Sequence, residues 1–139
     1  MIYTNIKKLC IILQHSSYEK WHLAATLAAT TTAMNGEAHL FLSHEALLAY
    51  VEDKIDQAKP QFENPELNQN YLDFMEDGKI PTISFLLKKA QELGTVKFYG
   101  CSESAQLFRL NSDLKKKLDA VIGYTMFLDI ASDGRLLTI

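Results

Sequence analysis

Residues 95–104 read Thr-Val-Lys-Phe-Tyr-Gly-Cys-Ser-Glu-Ser. Thr95 to Tyr99 is a β-type run that Gly100 stops. Cys101 follows at once, and Ser102 to Leu110 reads as a helix. A strand passing straight into a helix is half of a βαβ unit, the building block of a parallel α/β sheet. In such sheets ligands and chemistry gather where the carboxyl ends of strands face helix starts. The partial positive charge and unpaired N–H groups of a helix start favour a thiolate over a thiol. Cys101 is therefore a candidate reactive cysteine.

The same alternation continues on both sides. Leu9 to Gln14 is a continuous apolar run that suits a strand buried on both faces. Ser16 and Glu19 have capping-box spacing, which predicts a helix from there to about Asn35, stopped by Gly36. Ala24, Ala25, Ala28 and Ala29, with Leu23 and Leu27, give it a small-residue surface suited to close approach on a sheet. Ala38 to Leu42 is a second strand, and Ser43 can cap a helix from Glu45 to about Val51. Pro81 suits the first position of a helix carrying Ile83, Leu86, Leu87, Ala90 and Leu93, ended by Gly94. Ala120 to Ile122 is a short strand, Gly123 leads into a helix with Phe127, Leu128 and Ala131, and Leu136 to Ile139 is the last strand.

The expected fold is a three-layer α/β/α arrangement around a mainly parallel sheet of about five strands, flavodoxin-like in outline. The length of 139 residues fits one domain spanning 1–139. One segment, around 52–78, differs in kind. It is polar and acidic, holds Pro60 and Pro65, and carries a helix from about Glu66 to Glu76 with Leu67, Tyr71, Phe74 and Met75 on one face. That apolar stripe makes it an insertion or lid and not a linker.

Composition narrows the function classes. A net charge of −3 lacks the basic face of a nucleic-acid binder. Lys115-Lys116-Lys117 is the only basic run and reads as a solvated helix end. No stretch reaches the ~18 apolar residues of a membrane span, and Met1 to Lys8 has no signal-peptide core. Two cysteines are too few for a disulfide scaffold, so a reducing cytoplasm is the expected setting. No Cys-x-x-Cys pair, Walker-type loop or dinucleotide glycine signature is present, and no cofactor is implied.

If all strands are parallel, their carboxyl ends bring candidate groups to one side: His15 with Ser16 and Ser17, Ser43 with His44, Cys101 with Ser102, and Tyr124 with Thr125. Which of these touch depends on strand order, which the sequence leaves open. His15 and His44 could each bond a thiolate or act as an acid or base; otherwise they are loop histidines bonded to backbone or water. A zinc site from His15, His44 and Cys101 is conceivable, but no spacing demands it, and no metal is assigned. Glu103 cuts both ways, stabilising the helix start while opposing a nearby thiolate. Cys101 could also be a small buried residue filling a strand-to-helix corner. Cys10, inside the first strand, reads as inert core.

The pattern resembles the DsrE/DsrF-like superfamily, in its branch with Cys-x-x-Ser after a strand. The likeness runs through Glu92 to Ser104, with Cys101 and Ser104 in the motif positions, then Ile122-Gly-Tyr-Thr-Met-Phe-Leu128 and Leu136-Leu-Thr-Ile139. Ile11-Ile-Leu13 before a serine turn, the alanine-rich helix and Asn35-Gly-Glu-Ala-His-Leu-Phe-Leu42 fit as well. Two positions depart from it: Glu103 stands where a neutral residue is common, and Arg109 where a glycine is common. The resemblance implies homo-oligomers, often trimers or hexamers, and a sulfur relay in which one cysteine carries persulfide sulfur between a donor and an acceptor protein. That role would fall on Cys101, with Ser104 holding the loop. The carrier reading needs an exposed nucleophilic thiolate without a second cysteine in reach. Two other readings stand beside it. One is a non-catalytic oligomeric module binding a small ligand or metal near Cys101 under the 52–78 segment. The other is an assembly subunit whose apolar last strand needs covering.

Overall fold

A computed structural model describes residues 6–139, so most of the Met1–Lys8 segment read above for a leader lies outside the described residues. Five strands form one all-parallel sheet: β1 (Lys8–Leu13), β2 (Glu37–Leu42), β3 (Val96–Cys101), β4 (Ala120–Ile122) and β5 (Arg135–Thr138). Their order is β4-β3-β2-β1-β5. Among the described residues seven α-helices connect them: α1 (Tyr18–Ala33), α2 (His44–Val51), α3 (Pro65–Glu76), α4 (Ile83–Leu93), α5 (Ser102–Leu107), α6 (Ser112–Lys115) and α7 (Tyr124–Ile130). The expected α/β fold, with helices on both faces of a five-stranded parallel sheet, is what the chain adopts.

Strand order decides which face each helix covers. The chain steps from β1 to β2 to β3 to β4 in one direction, and right-handed crossovers put the intervening helices on one face. The last connection returns from β4 across three strands to β5, so α7 falls on the other face. Side-chain alternation along the strands then makes two cores. Leu9, Ile11, Leu13, Ala38, Leu40, Leu42, Val96 and Phe98 pack against α1, α2 and α4 through Trp21, Ala24, Ala25, Ala28, Leu47 and Leu87. Cys10, Phe41, Cys101 and Ile122 pack on the opposite side against Phe127 and Ala131.

Several local expectations are corrected by the fold. The Ser16–Glu19 capping box does not form: Ser17 is the N-cap of α1, without a side-chain cap bond. Glu19 instead accepts from the Gln61 backbone N–H at 3.0 Å, and Ser16 Oγ donates to Glu45 at 3.5 Å. Helix α1 ends at Ala33, and Asn35 takes the left-handed turn at φ 65°. Gly36 is needed for another reason, since a Cβ there would lie 2.2 Å from the Ile6 carbonyl oxygen. Pro81 is not the first residue of α4 but lies two positions before it, because Thr82 is the N-cap and accepts from the Phe85 N–H. Strand β3 does not stop at Gly100 but runs through it to Cys101, and α5 ends at Leu107. In α3 only part of the apolar stripe is used: Tyr71 and Met75 pack on the main core, while Leu67 and Phe74 are exposed. Lys115, Lys116 and Lys117 are exposed as expected, with Lys117 paired to Asp53.

Arg109 explains one departure from the resembled pattern. It closes α5 in the left-handed region, φ 52°, with Leu110 N–H reaching back to the Ala105 carbonyl at 3.0 Å. A side chain there costs ~1–2 kcal/mol, against ~0.5–1 kcal/mol of extra backbone entropy lost by glycine. Arg109→Gly should therefore raise stability by about 0.5–1 kcal/mol, and a lowered urea midpoint would contradict this reading. The Tyr50 ring stacks on Phe98 at 4.5 Å, and burial, helped by Asp119 and Asp53, pushes its hydroxyl up to about 12. A raised acid is neutral in the fold, so its contribution is present below the ordinary tyrosine value of 10 and is lost as pH climbs from there to about 12. Stability measured across that window should fall, and the fall should be shallower in Tyr50→Phe.

Candidate functional site

Strand β3 lies between β2 and β4, so its carboxyl end is flanked by the β2–α2 and β4–α7 junctions. Cys101 pairs in register with Ile122, and Gly100 with Leu42. This brings Ser43 and His44 to one side of Cys101, and Gly123 and Tyr124 to the other. His15 and Ser16 follow β1, on the far side of β2, and do not join the group. His15 is exposed, and Ser16 instead lines a separate cleft with Glu45, Glu52 and Lys59.

The motif serine ties two of these junctions together. Ser104 is 3% exposed, and its Oγ accepts from the His44 backbone N–H at 3.0 Å. His44 is exposed and sits at φ 50°, a conformation a non-glycine residue adopts only where surrounding contacts hold it. Its Nδ1 lies 3.0 Å from the buried Ser43 Oγ. On the other side, exposed Ser102 has its Oγ beside Gly123, where an added Cβ would meet it at 3.6 Å. The rim of the site is therefore His44, Ser104, Ser102 and the Gly123–Tyr124 turn.

The sulfur itself does not face this rim. Alternation along β3 turns Phe98 and Gly100 toward α1 and α2, and Tyr99 and Cys101 toward α7. Cys101 is 2% exposed and packs with Phe41, Ile122 and Phe127. Phe41 lies 4.8 Å from Phe127 and 4.9 Å from Tyr124, ring centre to ring centre, so aromatic side chains roof this end of the sheet. The solvent-presented sulfur expected from the sequence is thus corrected: the strand continues one residue further than its glycine suggested, and pleating carries the side chain under α7. Phe41 and Phe127 were missed as parts of the site; the only sequence signal was their aromatic character, near the end of β2 and on α7.

Cys10 belongs to the same apolar cluster and is wholly buried, which pushes its thiol up. It is nonetheless far from Cys101. In register Cys10 sits opposite His39, and His39 opposite Lys97, four residues before Cys101. Two strand spacings and four residue rises put the two Cα atoms roughly 16 Å apart, beyond any disulfide. His39 is 7% exposed with both ring nitrogens in hydrogen-bond contact. Its Nε2 lies 2.9 Å from Glu37, and a carboxylate only accepts, so this nitrogen carries the proton. Nδ1 lies 2.8 Å from the Tyr99 hydroxyl. Among the described residues no three His, Cys, Asp or Glu side chains gather as a metal site, so His15, His44 and Cys101 do not form one.

Removing the Ser104 hydroxyl leaves the His44 N–H without its partner. Ser104→Ala should cost about 1–2 kcal/mol in chemical denaturation, and a neutral result would show that the His44–Ser104 contact does not hold the junction. Comparison with known proteins adds nothing to this geometry: no family model and no curated protein matches the chain.

Proposed function

We propose that the chain is a sulfur-relay protein that carries sulfane sulfur on Cys101, as the DsrE/DsrF-like resemblance of its sequence implies. The observation that supports this best is the placement of one cysteine at the carboxyl end of an inner strand, clamped through Ser104 to His44, with the other cysteine out of reach. In the loading step the Cys101 thiolate attacks the outer sulfur of a donor persulfide. A new S–S bond forms, the donor's S–S bond breaks, and the donor leaves as a thiolate, so no outside oxidant is consumed. An acceptor thiolate reverses the exchange. With no second thiol near, the persulfide is not lost to an internal disulfide.

Because Cys101 is 2% exposed, loading needs the 123–130 segment to lift. That roof is a helix of seven residues that buries Phe127 and leaves Tyr124, Met126 and Leu128 in solvent. The proposal includes a cytoplasmic, homo-oligomeric protein, trimeric or hexameric, for which exposed Met126, Leu128, Leu136 and Leu137 supply apolar surface. A donor or acceptor protein would dock at the same rim.

The burial of the sulfur favours a second reading: a non-catalytic oligomeric module of the same fold in which Cys101 only packs. Intact-mass spectrometry after incubation with inorganic polysulfide separates the two. The carrier reading expects one or more added sulfur atoms on Cys10→Ser and none on Cys101→Ser. Absence of sulfur on Cys10→Ser, under conditions that load a known carrier, would reject it in favour of the packing role.

A further inference from the structure

Helix α3 is held to the molecule along one side only, and no residue of it is buried. Tyr71 and Met75 rest on the main core, and the Tyr71 ring meets Tyr18 and Phe62 edge-on at 5.8 Å and 5.0 Å. Leu67 and Phe74, by contrast, are 41% and 45% exposed. They lie seven positions apart, so they form one row along the helix.

An acidic row borders this apolar one. At about 100° per residue, Glu66, Asp73 and the C-cap Asp77 fall on the flank of the Leu67–Phe74 row that is turned away from Tyr71 and Met75. All three are exposed. Glu66 and Asp73 have no ion pair among the described residues. Charge is also concentrated in this part of the chain. Residues 52–78 hold eight acids and two lysines, a net charge of −6, whereas the whole chain is −3 and the remainder is therefore +3.

Lys79 shows what the surface accepts. Its ammonium lies 5.5 Å from the centre of the Phe74 ring and 3.9 Å from the Asp77 carboxylate. One cation of the chain itself thus spans the apolar row and the acidic row at the C-terminal end of α3. The contact joins a cation over an aromatic face to a carboxylate beside it. Toward the N-terminal end, Leu67 and Glu66 have no such cation.

These features choose the kind of partner. Nucleic acid and anionic lipid both present phosphate, which the acidic row repels. A helix with an apolar stripe edged by lysine or arginine answers both rows at once. We propose that the outer flank of α3 docks a basic amphipathic helix of a partner protein, its apolar stripe on Leu67 and Phe74 and its cations on Glu66, Asp73 and Asp77. This surface is independent of the sulfur chemistry proposed for Cys101. It gives the 52–78 insertion a recognition role of its own.

A peptide of leucine and lysine, about 14 residues long and patterned as a four-turn amphipathic helix, tests this when titrated into the isotope-labelled full chain. Saturable amide shifts centred on residues 63–78 are expected, with affinity falling as salt rises. Leu67→Gln combined with Phe74→Gln keeps helix-forming residues in place and should weaken the peptide about tenfold, as loss of a central apolar anchor does. Glu66→Gln combined with Asp73→Asn should weaken it and flatten its salt dependence. Absence of saturable shifts, shifts centred elsewhere, or unchanged affinity in either double variant would overturn the proposal. Equal binding of a scrambled peptide of the same composition would also overturn it, since charge attraction alone would then suffice. Shifts of residues 63–78 on adding duplex DNA would refute the choice of a protein partner.

Discussion

The handedness of parallel crossovers is the constraint from which the rest of this structure follows. Three successive steps in one direction commit α1, α2 and α4 to one face of the sheet. A single return step, from β4 to β5, leaves the other face to α7. The molecule is therefore asymmetric in cover. One core is large and sealed by Trp21, the α1 alanines and Leu47; the other is a small aromatic and sulfur cluster under seven helical residues.

The same asymmetry sets the character of the candidate site. The backbone at the end of β3 is where α/β proteins place their chemistry, and the motif residues gather there: Ser104 bonded to His44, Ser102 beside Gly123. The pleat nevertheless sends the Cys101 side chain to the thin face and away from the rim. A sulfur kept under a light cover is protected from solvent and oxidants, and can act only when the cover moves. Position and accessibility are thus separate properties of this cysteine, the first set by strand order and the second by how firmly Phe127 and Phe41 hold α7 down.

Much of this was legible from the residues. Continuous apolar runs such as Leu9–Gln14 gave the buried strands, and Gly94 and Gly123 marked helix ends. What escaped was set by tertiary contact. The spacing of Ser16 and Glu19 matches a capping box, yet both side chains find better partners in Glu45 and Gln61, remote in sequence. Gly100 looks like a strand terminator, but it is a strand residue kept small by Leu118 and Leu47, whose side chains a Cβ would meet at 2.6 Å and 3.2 Å. That misreading left Cys101 outside the strand, whereas the alternation of the pleat, continued through Gly100, turns its side chain toward α7. Strand order has no local signature, so the separation of His15 from Cys101 could not be read in advance.

Unequal cover also means unequal softness. Local opening takes the least free energy where few apolar contacts must break. β5 is an edge strand, exposed along all four residues and, among the described residues, paired only with β1, and it joins α7 through a brief 3-10 turn that Lys8 pins through the Ile130 carbonyl and Asp133. Amide hydrogens of the α7–β5 stretch should thus trade with deuterium long before those of β1 and β2. The last sixteen residues amount to a lightly fastened flap, gripped at its middle by Lys8 and along its far end by β1.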